Sequence, residues 1–254
     1  MPYAYAKGGQ RVLVVFDGLD FSHKPPSAFM TRFMFGFIKR LVDDFTVYVV
    51  RRKPGLPAGY SMRDMSNDYA VMIKDELDYP VDVMGLSTGG PIAQWFAVDH
   101  PELTRRLVLA MAGYRLNENG KRLQLQVADL VRAGRYRAAA ALMSTSMFSG
   151  VSGVFFKPMF WLMGGMMFGS SASSSDGLVE INAEDKHDFK DHLVEIKVPT
   201  LVIGGDEDFF YPVRDTAEGI PGSKLVLYRG VGHTAMMKRE FGEDLLAFLN
   251  NDDI

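Results

Sequence analysis

Short apolar runs alternate with longer amphipathic segments along most of the chain. The runs are rich in β-branched residues and are bounded by glycine, proline or charged residues, which is typical of β-strands. Several runs are apolar almost throughout, as expected for strands that are covered on both faces in a mainly parallel sheet. The pattern predicts strands at residues 11–16, 46–51, 81–86, 106–112, 200–205 and 224–229.

Helical periodicity fills the intervals between these runs. Met65, Tyr69 and Met72, for example, fall on one stripe of a predicted helix, and acidic residues fall on its other side. Strands and helices in alternation are the signature of a doubly wound α/β sheet, which is the fold class that we expect. The predicted helices cover approximately residues 27–42, 62–77, 91–99, 213–219 and 239–250.

The alternation breaks between residues 114 and 195. This stretch contains two helical patterns, a segment rich in methionine and phenylalanine, and a serine-rich tract at 169–177 that is typical of a flexible loop. An interval of about 80 residues between two strands is too long for a plain crossover. We therefore expect a mainly helical cap at 114–195, inserted into an α/β core made of residues 1–113 and 196–254.

Composition narrows the class of protein. Of the 254 residues, 47% are hydrophobic, and the formal net charge of −3 gives no reason to expect a nucleic-acid partner. The basic run at 51–53 is expected to be the solvated end of a strand. The absence of cysteine excludes disulfides and thiolate chemistry.

The apolar stretch at 154–169 is too short to span a bilayer, so we expect no membrane insertion and a cytoplasmic location. The oligomeric state stays open.

One serine lies inside a cluster of glycines. Residues 85–89 read Gly-Leu-Ser-Thr-Gly, which has the form G-x-S-x-G and stands between a predicted strand and a predicted helix. In that context the pattern indicates a nucleophile elbow, a strained turn that exposes the hydroxyl of Ser87. The helix that follows directs backbone N–H groups toward a developing anion.

A serine nucleophile needs a base to take its proton and an acid to orient that base. Asp206, Glu207 and Asp208 follow the strand predicted at 200–205, and any of the three is a candidate acid. His233 follows the next strand, just beyond a Gly-x-Gly turn. The order serine, acid, histidine is the one in which an α/β-hydrolase fold presents these groups.

With these residues in place, nearly the whole chain resembles the α/β-hydrolase superfamily. The superfamily's acid usually lies in a G-x-x-D-x-x-x-P pattern, and Gly205, Asp208 and Pro212 match it, so the resemblance implies Asp208 as the acid. It also implies an oxyanion hole made of the backbone N–H groups of Thr88 and Leu19. Asp17 stands where the superfamily commonly has histidine.

The resemblance implies an esterase or lipase-like serine hydrolase that acts on apolar small-molecule or acylglycerol-like esters. Ser87, Asp208 and His233 would be its catalytic residues, and no cofactor or metal ion is required. Two alternatives stay open. One is a ligand-binding module with a slow or vestigial triad, and the other is a cofactor-free perhydrolase or haloperoxidase, whose elbow the residues Ser-Thr-Gly-Gly at 87–90 also resemble.

Two further expectations concern the predicted cap. Flexible methionine side chains suit a pocket for varied apolar ligands, so Phe160, Met163 and Met167 are predicted to contact the substrate. His187 and His192, with nearby acids, have the spacing of a conceivable metal site. The interpretation that we prefer is a solvated segment leading into the next strand.

Overall fold

The fold is built on a mainly parallel sheet. The computed structural model describes residues 1–21, 25, 36, 39–147, 157–162, 164 and 174–251. Within these ranges the sheet has seven strands in the order β1-β3-β2-β4-β5-β6-β7, of which β1 pairs antiparallel and the others parallel. The strands are β1 (Tyr3–Ala6), β2 (Arg11–Phe16), β3 (Phe45–Val50), β4 (Val81–Leu86), β5 (Thr104–Ala110), β6 (Thr200–Gly205) and β7 (Lys224–Tyr228).

Helices connect the strands and cover both faces of the sheet. Short 3₁₀ segments lie at Lys39–Asp43, Pro101–Leu103, Lys190–Glu195 and Ala235–Met237, and residues 157–162 are helical. The longer helices are α1 (Met62–Glu76), α2 (Gly89–Asp99), α3 (Glu118–Arg132), α4 (Tyr136–Met147), α5 (Ser174–Asp185), α6 (Val213–Gly219) and α7 (Phe241–Leu249). The α/β fold class predicted from the sequence is confirmed.

Alternate residues of each central strand enter two different hydrophobic clusters. In β2, Val14 and Phe16 belong to the cluster that includes residues of α1 and α2, whereas Leu13 and Val15 belong to the cluster that includes residues of α7. Both faces of the sheet are therefore buried. This explains why the strand sequences are apolar almost throughout rather than alternating.

The predicted strands match the observed ones to within two residues. The sequence pattern missed β1, a four-residue strand at the sheet edge whose residues Tyr-Ala-Tyr-Ala form too short a run to stand out. The helix predicted at 27–42 lies mostly outside the described residues, and its last residues form the 3₁₀ segment Lys39–Asp43. Across the described ranges, no helix is long and apolar enough to cross a membrane.

Helices α3, α4 and α5 all lie in the interval between β5 and β6. The prediction of a loop at 169–177 is wrong for its last four residues, because α5 begins at Ser174, while residues 169–173 lie outside the described ranges. Asp176 in the first turn of α5 accepts hydrogen bonds from the backbone N–H groups of Gly55 and Leu56, each at 2.8 Å. Tertiary contacts have here outweighed local composition.

The basic run at 51–53 is another correction. It was predicted to be solvated, but Arg52 is only 1% exposed and forms an ion pair with Glu180 of α5. Arg51 is also largely buried and pairs with Asp20 at 3.0 Å. The prediction failed because the acidic partner of Arg52 comes from a segment more than a hundred residues away along the chain.

Candidate active site

Ser87 lies in a strained turn between β4 and α2. Its φ angle is 52°, in the left-handed region that L-residues rarely adopt. The neighbouring glycines allow a close approach of backbone segments. A Cβ atom on Gly85 would lie 2.6 Å from the Cα of Gly90, and one on Gly89 would lie 2.0 Å from the carbonyl oxygen of Phe16. The turn therefore requires glycine at both positions, in accordance with the geometry of a nucleophile elbow.

The structure brings the predicted serine, histidine and acid into hydrogen-bond contact. Ser87 Oγ lies 2.8 Å from Nε2 of His233, and Nδ1 of His233 lies 2.9 Å from Oδ2 of Asp208. The other carboxylate oxygen of Asp208 accepts hydrogen bonds from the backbone N–H groups of Phe210 and Tyr211, at 2.8 and 3.0 Å. These bonds hold the carboxylate in place and leave Oδ2 for the imidazole.

The other two candidate acids point elsewhere. Asp206 accepts a hydrogen bond from the backbone N–H of Gly230 at 2.7 Å, and Glu207 is exposed. Asp208, by contrast, has a side chain that is 1% exposed and lies against His233. The geometry therefore favours the same acid that the superfamily pattern implies.

The loop after β2 provides one wall of the site and is held by buried charges. Its residue Leu19 and the elbow residue Thr88 both line the cavity at Ser87. The carboxylate of Asp17 accepts a hydrogen bond from the Gly18 N–H at 2.9 Å and pairs with Arg51 at 3.4 Å. Burial raises the pKa of Asp17, and the guanidinium groups of Arg51 and Arg52 counteract this increase. The negative charge of Asp17 is thus engaged by the Gly18 N–H and by Arg51, which follows β3.

The cavity at Ser87 has a volume of about 220 Å³ and a largely apolar wall. Phe160 does not reach the described part of this wall and packs, partly buried, against the core. Met163 and Met167 lie outside the described residues. Four methionines from other segments line the described part of the wall. The described residues that line the cavity are Gly18, Leu19, Leu86, Ser87, Thr88, Met111, Gln124, Met143, Met147, Phe210, His233 and Met236.

A buried carboxyl group beside the elbow was missed by the sequence reasoning. Glu184 of α5 is fully buried and accepts hydrogen bonds from Thr88 Oγ1 at 3.1 Å, Gln124 Nε2 at 2.9 Å and the hydroxyl of Tyr211. Burial raises its pKa to about 6, although these hydrogen bonds act in the opposite direction. The spacing of acids four residues apart at positions 176, 180 and 184 was the available signal, because it places them on one helix face.

The two histidines of the conceivable metal site lie in different environments. The prediction of a solvated segment is wrong for His187, which is buried, lies 3.2 Å from Gln94 Oε1 through Nε2, and has a pKa lowered by burial to about 4. His192 instead pairs with Glu195 at 2.9 Å. In the part of the chain that the structure describes, no group of three or more histidine or acidic side chains is arranged to hold a metal ion.

Comparison with known proteins places the fold. The chain aligns with the enol-lactonase of Burkholderia xenovorans LB400 at a TM-score of 0.77 and 21% identity, over 98% of this chain and 96% of that one. The fold is that of the α/β hydrolases, as the sequence motifs predicted. No protein-family model matches the chain.

Sequence relatives point to the same superfamily. The chain is 35% identical to a non-heme chloroperoxidase of Kitasatospora aureofaciens over 103 residues, which are 37% of this chain and only 35% of that protein. It is 27% identical, over 217 residues and 79% of each chain, to a protein of Pseudomonas savastanoi pv. phaseolicola that is named as a candidate carbamate hydrolase. The resemblance to the α/β-hydrolase superfamily is thereby confirmed.

Proposed function

We propose that the protein is a serine hydrolase that cleaves carboxylic esters of apolar small molecules through an acyl-enzyme intermediate. The observation that carries the proposal is the chain of hydrogen bonds from Ser87 through His233 to Asp208. Ser87, the residue at one end of this chain, lines a cavity with a largely apolar wall. A lactone is a cyclic ester, so the similarity to an enol-lactonase also supports ester chemistry.

In the proposed acylation step, Ser87 Oγ attacks the ester carbonyl carbon while Nε2 of His233 takes the serine proton. Asp208 keeps the imidazole in the required tautomer and stabilises the imidazolium. The carbonyl oxygen becomes an oxyanion, which the backbone N–H groups of Leu19 and Thr88 would bind. His233 then gives its proton to the leaving alcohol, and the acyl group stays on Ser87.

Deacylation repeats these steps with water as the nucleophile. His233 takes a proton from water, the hydroxide attacks the acyl carbon, and Ser87 leaves as the restored alcohol after protonation by His233. The acid product then departs from the cavity. All the acid, base and nucleophilic side chains in these two steps belong to the protein.

Turnover of short p-nitrophenyl esters tests the proposal. We expect Ser87→Ala to lower kcat/KM by about 10⁴-fold or more while the fold is retained, because the members of a triad act as a unit. Asp208→Asn is expected to cost far more activity than the matched change Asp206→Asn, since only Asp208 faces His233. Activity of Ser87→Ala within tenfold of the wild type would exclude Ser87 as the nucleophile.

The relative named as a chloroperoxidase favours a second candidate activity, perhydrolysis. Hydrogen peroxide would then replace water in deacylation, attack the acyl-enzyme and release a peracid together with free Ser87. Peracid formation from acetate esters and peroxide, measured against hydrolysis of the same ester, compares the two nucleophiles. An esterase without this activity forms no peracid above the Ser87→Ala background.

A further inference from the structure

Helix α5 buries three carboxylate side chains on one face. Asp176, Glu180 and Glu184 follow one another at intervals of four residues, and they are 7%, 0% and 0% exposed. A buried carboxylate is costly unless it is paired or accepts several hydrogen bonds. The partners of these three groups therefore indicate what the helix holds in place.

Glu184 contacts the elbow and the loop of the candidate acid. It accepts from the hydroxyl of Thr88, whose backbone N–H is one candidate oxyanion donor, and from the hydroxyl of Tyr211. The backbone N–H of Tyr211 donates to Asp208. The hydroxyls of Thr88 and Ser87 also lie close enough to Tyr211 to influence its pKa, which burial and Glu184 raise. One carboxylate thus joins both loops that carry the proposed chemistry.

Glu180 is linked to the loop after β2 through a buried arginine. It pairs with Arg52, whose Nη1 donates to the carbonyl oxygens of Asp17 at 2.5 Å and Gly18 at 2.8 Å. The Gly18 carbonyl and the Leu19 N–H belong to one planar trans peptide unit, in which they point in opposite directions. By holding the Gly18 oxygen, Arg52 fixes the direction of the Leu19 N–H, the other candidate oxyanion donor.

Asp176 has a different role on the same face. It accepts from the backbone N–H groups of Gly55 and Leu56, in a loop that does not line the cavity at Ser87. It is buried nearly as deeply as the two glutamates and belongs to the same helix. It therefore serves as an internal control for effects that come only from anchoring α5.

We propose that α5 positions the oxyanion hole from both sides, with Glu184 acting through Thr88 and Glu180 acting through Arg52. Both glutamates are positioning residues, since neither is required to touch the substrate. The inference rests on the proposed function, because it assigns a role to the N–H groups of Leu19 and Thr88. It predicts that loss of either carboxylate weakens transition-state stabilisation and leaves ground-state binding of an ester nearly unchanged.

The test compares Glu184→Gln, Glu180→Gln and the control Asp176→Asn by two readouts at pH 7.5. The first is kcat and KM for p-nitrophenyl butyrate, and the second is the rate of Ser87 labelling by a fluorophosphonate, whose phosphoryl oxygen occupies the oxyanion hole. We expect both glutamate variants to lose about tenfold or more in kcat and in labelling rate, which is part of the effect of deleting one oxyanion donor. KM stays within about threefold, and Asp176→Asn keeps both rates.

Thr88→Val provides a second route, because valine keeps the backbone N–H and replaces the hydroxyl with a methyl group of similar size. If Glu184 acts through that hydroxyl, the double variant Glu184→Gln/Thr88→Val is no slower than the worse single variant. This comparison decides the matter even where Glu180→Gln does not fold.

The activity gap between Glu184→Gln and the wild type also depends on pH. The groups that face Glu184 are Glu180 on its own helix, Tyr211 in the acid loop, and the uncharged Thr88 and Gln124. We expect the gap to narrow as the pH falls from 7.5 to 5, because the wild-type carboxylate then becomes protonated. A variant that only loosens the fold would show a constant or growing gap.

Two results would overturn the inference. Glutamate variants that keep the wild-type kcat and labelling rate would show that α5 does not position the hole. Equal losses in Asp176→Asn would show that α5 only stabilises the fold. Failure of the proposed function gives a different pattern, in which the wild type hydrolyses no ester. Fluorophosphonate labelling of Ser87 still measures the oxyanion hole in that case, so the comparison among variants stands.

Discussion

At the scale of single residues, Asp17 shows how a departure from a common motif is accommodated. The carboxylate lies beside the proposed oxyanion loop, where an unpaired negative charge would oppose the developing anion. Its hydrogen bond to the Gly18 N–H and its ion pair with Arg51 engage that charge. The residue therefore supports the loop through a hydrogen bond that asparagine could also provide.

We expect Asp17→Asn to keep kcat/KM within about threefold of the wild type and Asp17→Leu to lose about tenfold. Asparagine retains an oxygen for the Gly18 N–H, whereas leucine of similar size leaves that partly buried donor without the side-chain oxygen, at a cost of about 1 kcal/mol. Arg51 keeps its pairing with Asp20 in both variants. Ester kinetics with matched melting temperatures check this. Equal losses in the two variants would show that the charge, and not the hydrogen bond, is required.

At the scale of elements, the sequence predicted those features that depend on residues close together along the chain. The central strands were found because each is a compact apolar run, and Ser87 was found because its glycines are adjacent to it. What was missed depends on contacts between distant segments. Arg52 and Glu180 lie more than a hundred residues apart along the chain. Without knowledge of this ion pair, each is predicted to be a charged surface residue. The start of α5 was also missed, because its serines are typical of a loop and its contacts with Gly55 and Leu56 come from a distant segment.

The acidic helix α5 also predicts a dependence of stability on pH. Burial raises the pKa of Glu184 from 4.5 to about 6, so the folded state binds this proton more tightly than the unfolded state does. The stability that protonation contributes is fully present below about pH 4.5 and is lost as the pH rises through 6. The loss amounts to about 2 kcal/mol, from about 1.36 kcal/mol for each pKa unit.

Glu184→Gln removes this dependence. We expect the free energy of unfolding of the variant, minus that of the wild type, to rise by about 2 kcal/mol between pH 4.5 and 7. Two other buried groups also titrate in this pH range: Asp82, whose pKa is raised by burial to about 6, and His187, whose pKa is lowered to about 4. Both groups are present in the variant and in the wild type, so their contributions cancel in the difference. Denaturant unfolding at several pH values measures the difference. A difference that does not change with pH would contradict a raised pKa for Glu184.

At the scale of the whole molecule, the candidate site is formed by two parts of the chain, the loops at the ends of the sheet strands and the helices between β5 and β6. The sheet supplies the elbow and the loops of Asp208 and His233, while α3 and α4 supply Gln124, Met143 and Met147. The resulting cavity of about 220 Å³ is smaller than the roughly 300–1,000 Å³ of pockets for drug-sized ligands. If the proposed function holds, we expect this size to favour esters with short acyl chains.

We expect Met143→Ala to shift the preferred chain length of p-nitrophenyl esters upward, because it opens space at the end of α4. Each additional buried methylene contributes up to about 0.8 kcal/mol, which is about fourfold in binding. Met159→Ala is the control, since Met159 is 46% exposed and does not line the cavity. Values of kcat/KM for chains of increasing length give the profile. Identical profiles for both variants would mean that Met143 does not bound the acyl site.

The central claim is that Ser87 carries the acyl group during turnover. The most direct measurement is to mix the protein with p-nitrophenyl acetate, stop the reaction in acid within the first turnovers, and locate the added acetyl group by peptide mass spectrometry. We predict an acetyl group on Ser87, formed in step with a burst of p-nitrophenol and absent from Ser87→Ala. An acetyl group on another residue, or steady turnover with Ser87 unmodified under the same trapping conditions, would contradict the account.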